Sequence, residues 1–245
     1  MSTKIITTFS IDGYELYGKK MVNTWLQYWP RDFELIVYTE GFSLEEKSSR
    51  ITEIDINVAC PTLQNFKDRS KVVFKGSDKK IKRHVDKAIR WSHKVYAISH
   101  ALNYDCNYLI FLDGDTYTKN AVSPTIAADL VKDHLFAVHF ETIKGETHFE
   151  TGLISFNLKH PQLPILKEEL QKGYDNFKIY DLPKAWDGFW FAHLQTKFNL
   201  DVLNLGGHGV FSNPLIKNIL AHDVGKEKFQ NSSIEYDKYS GRKKL

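Results

Sequence analysis

Cysteine is scarce in this sequence: 245 residues hold two, Cys60 and Cys106, and no CxxC spacing. That argues against a disulfide framework and against a zinc–cysteine site. Long hydrophobic runs are missing too. No stretch reaches the roughly 18 apolar residues that a bilayer span requires, and MSTKIITTFSIDG at the start carries no apolar segment followed by a cleavage site. The expectation is a cytoplasmic protein without a membrane span. Charge of one sign is also lacking: the formal net charge is +3. A dedicated nucleic-acid binder would show a far stronger balance, so no nucleic-acid partner is expected. Neither an internal repeat nor a long linker divides the chain. One domain over residues 1–230 is expected, with a polar basic tail over 231–245.

What is present points to α/β architecture, because short apolar runs alternate with amphipathic segments. Strands are predicted at 4–9, 34–39 and 51–58, then at 108–112, 136–140, 152–156 and 200–205. Helices are predicted at 13–29, 61–73, 84–103, 124–132, 161–172, 183–195 and 213–220. Residues 75–82 (KGSDKKIK) read as a polar loop. Aromatic residues make up 13% of the chain, which suits either an aromatic-lined cleft or an aromatic core. The basic residues cluster at Lys79, Lys80, Lys82, Arg83 and His84. Such a run is ordinarily a solvated face, and it also suits an anionic acceptor or a phosphate.

The most informative segment is YLIFLDGDTY, residues 108–117. A continuous apolar run of strand length suits a central strand covered on both faces. Ligands of open α/β sheets bind beyond the carboxyl ends of the strands, where this run ends in Asp113-Gly114-Asp115. Two carboxylates one residue apart repel unless a cation lies between them. Hard divalent ions are held by one or two carboxylates together with substrate phosphates. The plainer reading is an Asp-Gly-Asp turn after a strand.

Residues 95–117, VYAISHALNYDCNYLIFLDGDTY, resemble the helix, strand and Asp-x-Asp motif of GT-A glycosyltransferases. Three further phrases extend that resemblance toward the glycogenin-like group. HFETGLISFNLKHP (148–161) is similar to a strand opening on a small polar-Gly pair. DLPKAWDGFWFAHL (181–194) is similar to the acidic helix start that follows it. LAHDVGKEKF (220–229) resembles a closing His-x-x-Gly-x-x-Lys phrase. The opening, FSIDGYELYGKKMVNTWLQYWP, also resembles phage-associated transferases. Two departures concern the donor sugar and stereochemistry. Phe229 stands where the family continues Pro-Trp, and Glu150-Thr151-Gly152 stand where it carries Asn-Ser-Gly.

The resemblance implies a GT-A-type, Rossmann-like fold: a mixed, mostly parallel sheet flanked by helices. It implies a transferase using a nucleoside-diphosphate sugar, a Mn²⁺ (or Mg²⁺) ion, and an acceptor that is a glycan, a protein or another molecule. Asp113, Asp115 and His222 would be the metal ligands, with Gly225 and Lys228 on the diphosphate. Lys94, or Arg90 one turn earlier, would lie near the phosphates or sugar. Thr8 and Ser10 would sit beside the nucleotide base. Asp187 and Glu150 are the catalytic candidates, facing the donor sugar, and either could act as base in an inverting reaction. The glycogenin-like phrases favour retention. Taken singly, each has a plainer reading: His222 as a helix-end histidine, Asp187 as a cap, Lys228 as a surface lysine, Trp186, Phe189 and Trp190 as core aromatics. Two other functions fit the fold. A silent carbohydrate- or nucleotide-sugar-binding protein is one. A sugar-phosphate nucleotidyltransferase is the other, disfavoured because only Gly13 follows the first strand where a glycine-rich loop would be needed.

Overall fold

A computed structural model of the chain describes residues 2–143, 145–206 and 211–222. Nine strands are assigned among them: β1 (Thr3–Phe9), β2 (Glu34–Thr39), β3 (Ile51–Asp55), β4 (Tyr108–Leu112), β5 (Thr116–Thr118), β6 (Phe136–Ile143), β7 (Glu146–Asn157), β8 (Val202–Asn204) and β9 (Leu220–His222). Seven form one sheet in the order β3-β2-β1-β4-β7-β6-β8, and β5 pairs with β9 in a small second sheet. β1, β2, β3 and β4 run parallel. β7 runs antiparallel to both of its neighbours, β4 and β6, while β8 is parallel to β6. One reversed strand therefore interrupts an otherwise parallel sheet.

Both faces of that sheet are covered, which explains the unbroken apolar run of β4. Along it, Leu109 and Phe111 face one core with Ile6, Tyr38, Val95 and Phe191. Ile110 and Leu112 face the other with Ile5, Val37, Trp25 and Leu130. Side chains alternate across a strand, so a strand buried twice must be apolar at every position.

The elements nearest the carboxyl edge depart most from expectation. The helix predicted from residue 84 begins at Lys79 and runs to Ala101, because Asp78 accepts from Lys80 N (2.8 Å) and Ile81 N (2.9 Å) and caps it. Half of the polar loop is therefore helix. The strand at 51–58 stops at Asp55, whose carboxylate accepts from Asn57 N and starts a short turn, Ile56–Ala59. The helix predicted from residue 13 starts at Ile11 and widens into a π-turn over Tyr14–Gly18 before Lys19–Tyr28. In place of 183–195, the helix spans Asp187–Phe198. In place of 161–172 there are two shorter pieces, Leu163–Glu169 and Lys172–Asp175. The short helix expected at 213–220 is not formed; turns lead instead into β9.

Two glycines allow close approaches at the site. A Cβ at Gly114 would lie 2.6 Å from the Phe9 ring and 3.2 Å from Thr8 O, so the Asp-Gly-Asp turn rests directly on the end of β1. A Cβ at Gly188 would lie 2.0 Å from Phe149 O, so the helix start carrying Asp187 crosses β7 at backbone contact.

Candidate active site

The carboxyl ends of β1 and β4 meet at Gly114, where Asp113 and Asp115 emerge. Asp113 N donates to Gly152 O on the reversed strand (2.9 Å). That bond fixes the turn against β7 and brings Thr151 alongside. The long helix then supplies Lys94, which is 4% exposed. Its Nζ lies 2.8 Å from Asp113 Oδ1 and 3.0 Å from Asp187 Oδ2. It also donates to Thr151 O (3.2 Å) and Thr151 Oγ1 (3.1 Å). The Thr151 hydroxyl in turn donates to Asp187 Oδ2 (2.6 Å). Four segments distant in sequence are thus tied by one ammonium, with the rings of Trp91 and Phe111 about it.

The electrostatics follow from burial against pairing. Burial alone would lower the Lys94 ammonium, but Asp113 and Asp187 outweigh it and hold the group above its ordinary range. Burial pushes the Asp113 carboxyl up to about 7, opposed by Lys94 and reinforced by the negative charge of Asp115. Tyr17 is raised to about 12, first by burial and then by Asp115 and Asp113. Its phenol therefore sits within the field of the acidic pair, and Arg90 acts on it in the opposite sense.

Of the residues singled out from sequence, the structure brings Lys94, Asp113 and Asp187 into direct contact, with Asp115 beside them. Thr8 abuts the same turn through its carbonyl, and its Oγ1 is buried without a hydrogen-bond partner among the described residues. Ser10 is exposed, and its Oγ accepts from Gly13 N (3.2 Å) as a helix cap. Glu150 stays out of the lysine network: its Oε1 accepts from Gly152 N (2.8 Å). His222 pairs with Thr116 in the β5–β9 ladder, next to Asp115 in sequence. Its ring stands edge-on to Phe211 at 4.9 Å. Among the described residues no three His, Cys, Asp or Glu side chains are gathered as a metal-binding group. Gly225 and Lys228 lie outside the described residues, as does the 231–245 tail.

Tyr17 was not legible as a site residue. It falls at helical spacing among Tyr14, Met21 and Trp25 and reads as core; only the packing of the π-turn against β1 reveals its neighbours. Thr151 is a weaker omission, since its phrase was singled out but its role as bridge between Lys94 and Asp187 was not.

No family model matches the sequence, and no curated protein matches it by sequence. Solved structures do match by shape. Mouse xyloside xylosyltransferase 1 superposes with a TM-score of 0.54 at 11% identity, over 83% of this chain and 85% of that one. An active-site mutant of LgtC superposes with a TM-score of 0.50 at 15% identity, over 91% and 87%. The architecture is that of the GT-A glycosyltransferases: one mixed, mostly parallel sheet flanked by helices. This chain carries that fold as a single domain, with its acidic pair at the sheet's carboxyl edge. No helix among the described residues is long and apolar enough to cross a membrane.

Proposed function

We propose that the protein is a metal-dependent glycosyltransferase that moves a sugar from a nucleoside-diphosphate donor to an acceptor hydroxyl. The observation that carries this reading is Lys94, buried and bonded to both Asp113 and Asp187 at the carboxyl edge of β4. A purely structural Asp-Gly-Asp turn would not call for a buried ammonium beneath it. Burying such a group is costly unless it is paired and hydrogen-bonded.

The donor set fits a hard divalent cation. Asp113 and Asp115 offer oxygen ligands on one turn, and the β5–β9 ladder sets His222 opposite the residue after Asp115. With no third ligand gathered among the described side chains, donor phosphates would complete the shell, as is usual for Mg²⁺ and acceptable for Mn²⁺. When bound, the ion supplies positive charge to the departing diphosphate. By resemblance, Gly225 and Lys228 would hold the same phosphates, Thr8 and Ser10 the nucleoside.

The chain's own groups do the rest. Lys94 orients the carboxylates of Asp113 and Asp187, and Thr151 fixes the Asp187 rotamer. The anomeric carbon–phosphate oxygen bond breaks, and the acceptor oxygen forms the new bond to that carbon. Asp187 accepts from Lys94 and from Thr151, and Glu150 from Gly152 N. Both carboxylates are thus committed to contacts within the protein rather than turned toward an acceptor hydroxyl. Retention, with the acceptor proton passing to the departing phosphate, is therefore favoured over inversion.

The test is release of nucleoside diphosphate across a panel of nucleotide sugars with Mn²⁺, against the Asp113→Asn/Asp115→Asn variant. Release from one donor is expected, falling by about 10²-fold or more in the variant or in chelator, the scale of losing one strong electrostatic contact to the leaving group. Donor binding without turnover on any acceptor would favour the silent-binder reading. Absence of donor and cation binding would refute both.

A further inference from the structure

The Lys79–Ala101 helix runs well past the end of β4. Lys94 sits level with the end of β4, and the helix extends roughly 20 Å further toward its N-terminus. That overhang carries the basic run. Together with the segment before Asp187 it forms a cleft of about 570 Å³ lined by Lys79, Lys80, Arg83, Lys87, Lys184 and Trp186, with Asp86 as its acidic member. Trp186 is the floor. Lys87 Nζ lies 4.5 Å from its ring centroid and Lys184 Nζ 4.7 Å. His148 and Phe189 stack at 5.0 Å and both stand edge-on to the indole, which fixes the ring. Trp186 immediately precedes Asp187 in the chain, so the cleft borders the segment that carries the carboxylate held by Lys94.

We infer that this cleft is the acceptor site and that the acceptor is a saccharide carrying phosphate, its ring against Trp186 and its phosphate on Lys87 and Lys184. The inference rests on the transferase reading above. Cations outnumber the one acid among these residues, and burial, then Lys184, Arg83 and Arg90, hold the Lys87 ammonium below its ordinary range, a crowding that a bound anion would relieve. Lysine meets phosphate as a point charge and arginine through its planar fork, so both residue types lining the cleft suit a phosphate. The distance also fits. Lys87 lies two helical turns before Lys94, roughly 10 Å along the axis, so a sugar between them spans from phosphate to reactive centre. A single-stranded nucleic acid would call for a track of successive aromatic platforms, and this cleft offers one indole.

Calorimetric titration of the intact protein tests it at low salt, with hexose monophosphates (glucose, galactose and N-acetylglucosamine), the free sugars and inorganic phosphate as probes. At least one hexose monophosphate should bind about tenfold more tightly than both its free sugar and inorganic phosphate. Lys87→Ala/Lys184→Ala should remove about that tenfold, the loss of two charge-assisted contacts. Trp186→Phe should weaken binding less than Trp186→Ala, with thermal midpoints of both variants measured alongside so that loss of packing against His148 and Phe189 is read separately from loss of binding. Three results would overturn the proposal: no hexose monophosphate bound above its free sugar, inorganic phosphate binding as well as the esters, or a single-stranded oligonucleotide binding more tightly than any of them. Competition by a nucleoside diphosphate with Mn²⁺ would assign the cleft to the donor and overturn it too. Donor hydrolysis is read separately, so a failed acceptor site and a failed transferase reading give different results.

Discussion

Asp113 illustrates how one carboxyl serves two conflicting demands. Its burial favours the neutral acid, while a cation would favour the carboxylate. In the metal-free protein its folded pKa, about 7, lies above the ordinary 3.8. Such a group contributes stability that is fully present below the unfolded-chain value and is lost as pH rises through the folded one. Thermal midpoints measured in chelator should therefore fall between roughly pH 4 and pH 7. The Asp113→Asn variant should show a flatter profile over the same window; an identical slope in the variant would place the titration elsewhere. Lys94 shows the limit of reading residues singly. The resemblance places it near the phosphates or sugar, but its contact with Asp187 joins positions 93 residues apart, and only the tertiary fold reveals it. Tyr17 was hidden for the opposite reason: an aromatic at helical spacing carries the signature of core whatever its hydroxyl faces.

At the level of elements, strong periodicity was legible and local hydrogen bonding was not. β1, β2 and β4 follow directly from β-branched and apolar runs. The first turn of the helix beginning at Lys79 is illegible in sequence, since KGSDKKIK has no apolar stripe and its N-terminal lysines oppose the helix dipole; the Asp78 cap is what starts it. The 213–220 segment was mistaken for helix because its apolar spacing was read without its partner: Thr118 pairs with Leu220 and Thr116 with His222, and a short strand needs that neighbour to form. The start of the Asp187–Phe198 helix gives an element-level prediction. Gly188 passes Phe149 O so closely that a methyl group requires the backbone to move. Gly188→Ala should cost about 1–3 kcal/mol in a urea melt, the usual penalty of overpacking. It should also reduce donor hydrolysis, since the same shift displaces Asp187 from Lys94. Full activity with unchanged stability would contradict the placement of that helix.

For the whole molecule, the reversed β7 is the feature that joins the parts. It pairs with β4 on one side and β6 on the other, and its side chains enter both cores: Ile154 and Phe156 on one face, Leu153 on the other. A sheet shared by two cores should melt as one body. Near-ultraviolet and far-ultraviolet circular dichroism should report coincident denaturant transitions, the standard test of two-state unfolding; separated transitions would mean that the cores unfold independently. The fold class was readable at this scale because alternation of strands and helices suffices for it. The basic run at Lys79–His84 was readable as well, but its meeting with Lys184 and Trp186, far later in the chain, was not, since only the tertiary fold brings the two segments together.

The pairing of Asp113 and Asp187 with a single ammonium, with Asp115 on the same turn adding its charge to Asp113, has a thermodynamic consequence for how ligands bind. Carboxylates outnumber the buried cation, so this edge of the sheet is an unfavourable place for a diphosphate arriving alone, and equally a favourable one for a divalent ion. Each ligand improves the site for the other, and by linkage the two enhancements are equal. Nucleoside diphosphate and Mn²⁺ should thus bind with positive cooperativity, each about tenfold or more tightly in the presence of the other, the ordinary range of such coupling. Titrations run in both orders would close that cycle, and independent affinities would show that the three carboxylates do not act on the donor at all.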